Sequence, residues 1–263
     1  MVALNGRRII QRGGTAEPAW QDWLRTAGLS NLALDQWLPR NARLVVVAPH
    51  PDDEVLASGG LMAMHSDRGG EIMLVAVTDG EASHAHTSRW HARTLAAQRC
   101  AESMLGLVQL GVAQVAVERL KLPDGRVAHY VARLALRLQV LLRATDVVVT
   151  TWRLDGHPDH EACGFAASLA CGVVGSRLIE APVWMWDWAN PGDTCVPWNH
   201  LQSLPLTAHA CDRKQTALTA HASQLDSSRG LGGAVLGADL VARASRTAEY
   251  FFSGLENTHA VHR

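Results

Sequence analysis

Short apolar runs rich in β-branched residues recur along this chain with amphipathic stretches between them, and their order predicts its architecture. Arg43 to Ala48 reads Arg-Leu-Val-Val-Val-Ala and Ile72 to Thr78 is a second such run; continuous apolar runs of this length suit strands buried on both faces of a parallel sheet. Between them Val55, Leu56, Leu61, Met62 and Met64 fall at helical spacing. Residues 43–78 therefore read as a β-α-β unit, with Gly59 and Gly60 lowering the propensity of its helix. The alternation continues with a helix over 89–105, a strand over 112–120, a helix over 127–143, a strand over 146–151, a helix over 160–174 and a strand-like stretch over 177–188. That pattern predicts an α/β fold: a single Rossmann-like domain with a mostly parallel, doubly wound sheet and helices on both faces.

The ends of the chain depart from this rhythm. Residues 1–42 read as an extension that packs on the core domain 43–263, with an amphipathic helix around 19–27 carrying Trp20 and Trp23, and Trp37 beyond it. Downstream, 212–221 has helical spacing and 227–237 is rich in glycine and serine, a loop signal. The alternation Trp184-Met185-Trp186-Asp187-Trp188 sets three indoles on one face of the 177–188 strand, read as core or interface, with a sugar-stacking platform as the functional alternative. Lys214, His221 and Gln224 share one helical face, read as a solvated stripe unless it closes over a substrate.

Composition narrows the function classes. The 263 residues are 48% hydrophobic with a formal net charge of −1, and no Lys/Arg run exceeds a pair, which excludes the basic excess of a nucleic-acid binder. The five cysteines, Cys100, Cys163, Cys171, Cys195 and Cys211, are odd in number and form no CxxC pair. This argues against a disulfide framework and for a reducing, cytoplasmic setting, with Cys163 and Cys171 packing as small apolar residues. No apolar stretch has the length of a membrane span or, ahead of Glu17, of a signal peptide, so the chain reads as soluble and unexported.

The candidate chemistry lies just after two of the expected strands. His50-Pro51-Asp52-Asp53-Glu54 follows the first, and His157-Pro158-Asp159-His160 follows the strand over 146–151. In open α/β sheets ligands bind beyond the carboxyl ends of the strands where the strand order reverses, so two loops more than a hundred residues apart can share one site. A catalytic zinc takes three nitrogen or oxygen ligands and leaves a position for water. Two histidines and one carboxylate from these loops meet that need and keep net positive charge on the metal. Adjacent Asp52 and Asp53 point apart in such a segment, so one can bind metal while the other faces the water; spacing alone does not say which. Pro51 and Pro158 stiffen each motif, and Pro158 suits the first turn of a helix carrying His160.

Both motifs resemble those of the N-acetylglucosaminyl de-N-acetylase superfamily, the PIG-L/LmbE-like zinc deacetylases. The matching residues are Ala48-Pro49-His50-Pro51-Asp52-Asp53-Glu54 and Trp152-Arg153-Leu154-Asp155-Gly156-His157-Pro158-Asp159-His160-Glu161. Lesser matches are Thr78-Asp79-Gly80-Glu81, Arg99-Cys100-Ala101-Glu102, Leu122-Pro123-Asp124-Gly125 and Lys214 with His221-Ala222-Ser223-Gln224. The resemblance implies Zn2+, with Fe2+ as the alternative metal, on His50, Asp53 and His160. It implies Asp52 as general base and His157 as the group that stabilises the oxyanion as an imidazolium and protonates the leaving amine, oriented by Asp159. Arg99 and Asp124 fall where the family places polar substrate-side groups, and Glu81 joins them as a substrate-side candidate. Glu54 is read either as a carboxylate supporting the ligands or as a helix N-terminal charge.

The implied activity is hydrolysis of the N-acetyl group of an N-acetylglucosamine-type sugar in a small glycoconjugate, releasing acetate and a free amine. Alternatives are a zinc amidase acting on another N-acyl or thiol-conjugate amide, and a non-catalytic sugar-binding relative. Asp52 and His157 argue against the last, since a binder needs neither acid nor base. A nucleotide-binding domain is excluded by the missing GxGxxG and by carboxylates where a pyrophosphate would sit. The expected partner is a small amino-sugar glycoconjugate rather than nucleic acid or membrane, and a homo-oligomer is compatible with the sequence. His84, His86 and His91 are read as solvated loop histidines, with a second metal site as the alternative.

Overall fold

The computed structural model describes residues 8, 10, 14–83, 92–112, 114–226 and 234–255. In chain order the elements are α1 (Glu17–Leu24), β1 (Ser30–Asn31), α2 (Leu34–Trp37), β2 (Leu44–Ala48), α3 (Asp53–Asp67), β3 (Ile72–Ala76), α4 (Ala92–Gln109) and β4 (Ala116–Arg119). A single turn over Val127–Tyr130 leads into α5 (Val131–Leu141), followed by β5 (Val147–Thr151), α6 (Pro158–Val174), β6 (Arg177–Ala181) and α7 (Met185–Trp188). The last described elements are β7 (Leu201–Pro205), α8 (Ala208–Thr219), α9 (Ala222–Leu225), α10 (Ala238–Ala244) and β8 (Ala248–Ser253).

Among the described residues eight strands form one sheet in the order β1-β7-β8-β6-β5-β2-β3-β4. Strands β4, β3, β2, β5 and β6 are mutually parallel, while β8 runs antiparallel to both β6 and β7. The chain proceeds outward from β2 through β3 to β4, then returns to lay β5 on the other side of β2. The reversal in strand order thus falls between β2 and β5, opening a crevice beyond their carboxyl ends. At the opposite end of the same two strands, Arg43 and Asp146 form a buried ion pair at 2.6 Å.

Alternation along the strands sends side chains into two cores. Leu44 and Val46 pack with Leu61 of α3, Leu107 of α4, Ala217 of α8 and Leu240 of α10 on one face. Val45 and Val47 pack with Leu134 and Leu138 of α5 and Ala166 and Ala170 of α6 on the other. A third, aromatic cluster joins Trp20 of α1 to Trp152, Trp186 and Phe252 beside the antiparallel edge, where the Trp20 indole donates to the carbonyl of Trp186 at 2.7 Å. Ahead of residue 43, β1 pairs with β7, so this stretch supplies an edge strand as well as a packed helix.

Three local expectations are corrected. The strand over 177–188 ends at Ala181, because Pro182 offers no amide hydrogen and the N–H groups of Val183, Trp184 and Met185 turn to the carboxylate of Asp155. The three indoles therefore do not share a strand face; Trp186 enters the aromatic core and Trp184 turns elsewhere. Lys214, His221 and Gln224 do not form a solvated stripe. Helix α8 stops at Thr219, His221 caps α9, and all three side chains are buried.

Lys214 instead serves a break in α3. Ser58 leaves helical geometry (φ −150°, ψ 19°), which frees backbone groups on either side. The Glu249 carboxylate accepts the N–H groups of Gly60 (2.7 Å) and Leu61 (2.9 Å), while Lys214 Nζ donates to the Leu56 carbonyl (3.1 Å) and to Glu249 (2.7 Å). A Cβ at Gly60 would lie 2.5 Å from Leu206, so the glycine admits the close approach of the β7–α8 connection.

Candidate active site

The crevice between β2 and β5 gathers both histidine motifs. His50 leaves the end of β2, Asp53 opens α3, and His160 lies in the first turn of α6, whose first residue is Pro158. The Asp53 Oδ2 atom stands 3.0 Å from His50 Nδ1 and 3.2 Å from His160 Nε2. Donors roughly 2.0–2.1 Å from a zinc ion stand about 3.3 Å apart around a tetrahedron, so these separations fit a small divalent metal. All three residues are at most 9% exposed.

The outer ring nitrogens fix which nitrogen each histidine offers. His160 Nδ1 lies 2.8 Å from Asp155 Oδ2, leaving Nε2 for a metal. Asp155 is itself held by the amides of Val183 (2.9 Å), Trp184 (3.0 Å) and Met185 (3.0 Å). His50 Nε2 faces Asp124 Oδ1 at 3.2 Å and Asp159 Oδ2 at 3.3 Å, leaving Nδ1 for the same centre. Such carboxylate–histidine pairs set tautomer and ring orientation. Two imidazoles and one carboxylate, each directed in this way, fit zinc or ferrous iron by their chemistry.

This arrangement corrects two assignments. Asp159 orients His50 rather than His157, since its carboxylate accepts the N–H groups of Gly125 (2.7 Å) and Val127 (3.0 Å) and faces the His50 ring. It is the backbone N–H of Asp159 that reaches His157, donating to Nδ1 at 3.2 Å as part of the α6 cap. An Nδ1 that accepts this bond carries no proton, so His157 is a neutral ring with its hydrogen on Nε2, not an imidazolium. Burial and the neighbouring His160 and His50 push its pKa down to about 3, in agreement.

Asp52 is the residue most constrained by its backbone, at φ 143°. A non-glycine residue there is strained, and the surroundings hold it. Its N–H donates to Glu54 Oε2 (3.0 Å), and Glu54 Oε1 accepts the hydroxyl of Ser103. Arg99 Nη2 donates to the Asp52 carboxylate and to the Pro51 carbonyl, both at 3.0 Å, while its Nη1 donates to Gly80 at 2.9 Å. Burial raises the Asp52 pKa to about 6 despite Arg99. Glu54 thus supports the loop that carries Asp52.

The three metal-facing residues, Asp52 and His157 line a cavity of about 300 Å³ together with Leu56, Ala82, Ser83, Gly125, Trp184, Val235 and Leu236. Asp124 and Arg99 are among its walls, whereas Glu81 is not; Glu81 accepts the Asp124 N–H at 3.0 Å and steadies the turn from outside. His84, His86 and His91 lie outside the described residues. Sequence reasoning passed over Asp155 and Ser103. Asp155 stood inside the second motif as a carboxylate five residues before a ligand, a detectable signal, whereas Ser103 carried none.

Comparison with known proteins finds de-N-acetylases among the similar chains. A family model described as PIG-L, GlcNAc-PI de-N-acetylase, matches residues 45–171, just under half of the chain. A 1D-myo-inositol 2-acetamido-2-deoxy-alpha-D-glucopyranoside deacetylase of Mycolicibacterium gilvum (strain PYR-GCK) is 31% identical over 168 residues, covering 55% of this chain and 58% of that relative. Among solved structures, the A40926 pseudoaglycone deacetylase superposes with a TM-score of 0.62 at 22% identity, covering 81% of this chain and 97% of the other. The N,N'-diacetylchitobiose deacetylase of Pyrococcus horikoshii gives 0.58 at 20% identity, covering 82% of each. These structural likenesses bear out the α/β fold with a mostly parallel sheet flanked by helices. Among the described residues no helix is long and apolar enough to cross a membrane.

Proposed function

We propose that the chain is a member of the PIG-L de-N-acetylase family, whose model it matches over residues 45–171, and that it is a metal-dependent hydrolase that removes the N-acetyl group from an N-acetylglucosamine-type sugar in a small glycoconjugate. The observation that carries this reading is the convergence of His50 Nδ1, Asp53 Oδ2 and His160 Nε2 beside an independently held Asp52. His50, Asp53 and His160 would hold the metal, zinc by preference with ferrous iron as the alternative. When bound, it would supply Lewis acidity toward the amide carbonyl and lower the pKa of the attacking water.

The remaining work falls to the protein. Asp52, an anion anchored by Arg99, takes the proton of the water as its oxygen bonds to the carbonyl carbon. His157, neutral and with its proton on Nε2, donates a hydrogen bond to the oxygen that becomes negative as the carbonyl turns tetrahedral. When the C–N bond breaks, the proton held by Asp52 passes to the departing nitrogen, leaving a free amine, a regenerated carboxylate and acetic acid, which gives up its remaining proton to solvent as acetate. His157 has no second proton to give while its Nδ1 caps α6, so this reading assigns both transfers to Asp52.

The test is amine release from N-acetylglucosamine glycosides by metal-loaded protein, with Asp52→Ala and His160→Ala alongside. Loss of turnover in both, with loss of metal only in His160→Ala, is the expected pattern. A His160→Ala protein that keeps its metal and its full activity would rule the reading out.

A further inference from the structure

The cavity has two unlike walls, and the sheet order sets them on opposite sides of the metal donors. On the side of β3 and β4 stand Ala82, Ser83, Asp124 and Gly125, with Arg99 reaching in from α4. On the other side Trp184 follows β6, and Leu56 of α3 with Val235 and Leu236 completes an apolar lining. The bracing of the histidines marks the same division. Asp124 meets His50 from the β4 side, whereas Asp155, tied to the Trp184 amide, meets His160 from the β6 side.

The apolar side is built from three separate pieces of chain. Leu56 sits one helical turn after Asp52 on α3, Trp184 follows β6, and Val235 and Leu236 precede α10, where the Leu236 N–H donates to the Gln224 carbonyl at 3.0 Å. Leu56 and Trp184 are partly buried against the same core cluster that contains Leu236, so the wall is continuous with the hydrophobic interior.

A trans secondary amide directs its two substituents away from each other across the C–N bond. With the carbonyl over the metal donors, one substituent faces each wall. The hydroxyl-bearing sugar has partners at Ser83, Arg99 and Asp124, and none among Leu56, Val235 and Leu236. We infer that Leu56, Trp184, Val235 and Leu236 form an acyl pocket, and that the enzyme, besides removing acetyl, accepts and favours N-acyl amino sugars with a longer acyl chain. This rests on the amide-hydrolase reading above and deepens it by naming the substrate class.

The experiment uses full-length, metal-loaded protein and methyl glycosides of N-acetyl-, N-butyryl- and N-hexanoyl-glucosamine, with released amine quantified. A second arm keeps the acetyl group and replaces methyl by an apolar octyl aglycone. The expected result is a gain in kcat/KM on the order of tenfold from acetyl to butyryl, and no comparable gain from methyl to octyl. Val235→Phe, which fills the wall at a partly exposed position, should lower the butyryl-to-acetyl ratio by a similar factor. A protein that cleaves the acetyl compound but gains only with the octyl aglycone overturns the acyl pocket and places the aglycone, or a sugar stacked on Trp184, on that wall. Equal rates for all three acyl groups, or a ratio unmoved by Val235→Phe, also overturn it. Release of amine from none of the amides overturns the hydrolase reading as well, which separates the two failures.

Discussion

Asp155 holds His160 by Nδ1 at 2.8 Å while its other oxygen accepts the amides of Val183 and Met185. One carboxylate thereby couples the end of β6 to the metal-facing nitrogen of a residue on α6. It needs two accepting oxygens to do so. In Asp155→Asn the single carbonyl oxygen is claimed by the backbone donors, so the NH₂ group faces His160 Nδ1 and favours the tautomer with its proton on Nε2. Metal affinity should fall about 10- to 100-fold, measured by competition with a chromophoric chelator, with helix content unchanged. Unaltered affinity would show that the pairing does not set the tautomer.

The strained backbone at Asp52 gives a second expectation. Asp52→Asn keeps its place beside Arg99 but cannot take a proton, so metal should remain bound while kcat falls about 10²- to 10⁴-fold. Ser103→Ala leaves every substrate-facing group intact and removes the hydroxyl that steadies Glu54, the acceptor of the Asp52 N–H. A fall in kcat of about tenfold with KM nearly constant is expected, since displacement of a base by a fraction of an ångström has that scale of cost. A change confined to KM would place Ser103 in binding instead.

How much of this could be read beforehand depended on whether the signal was local. Strands β2 and β5 announced themselves as valine-rich apolar runs because both of their faces are buried, β3 as a continuous apolar run, and the two motifs stood directly after the strands that flank the switch point. The partner of each carboxylate was not legible. Asp124 lies in the turn after β4 and Asp159 in the first turn of α6, and their convergence on His50 follows from the return of the chain from β4 to β5, which no spacing encodes. The tryptophan alternation after β6 misled for a related reason: period two is also what a proline-terminated strand running into a short helix displays, and Asp155, remote in sequence, decides which forms. Lys214 looked solvated because its anion, Glu249, comes from the last strand.

That ion pair has its own consequence. Lys214→Met retains the length of the side chain but leaves Glu249 buried against Gly60 and Leu61 with its cation removed. Removing one partner of a buried pair costs about 3–5 kcal/mol, and urea denaturation should show a loss of that size at neutral pH. The centre is expected to keep its metal, because the break in α3 lies beyond the residues that face it. A variant as stable as the parent would mean that the N–H groups of Gly60 and Leu61 alone suffice to hold the carboxylate.

The buried His65 supplies a test of stability against pH. Its Nε2 donates to the Ala42 carbonyl at 3.1 Å, and its Nδ1 faces Arg68 Nη2 at 2.9 Å, an arrangement that requires the neutral ring. Burial first, and then the Arg68 guanidinium, hold its pKa below the ordinary 6.5. Below that value the unfolded chain takes up a proton that the folded chain resists, so the contribution of His65 is complete above pH 6.5 and declines as the pH falls toward the lowered folded value. His65→Gln can donate to Ala42 without titrating. Between pH 7 and pH 5 the melting temperature of the parent should therefore fall more steeply than that of the variant, with other acid-sensitive groups cancelling in the comparison. Parallel pH profiles would mean that His65 protonates without strain in the folded protein.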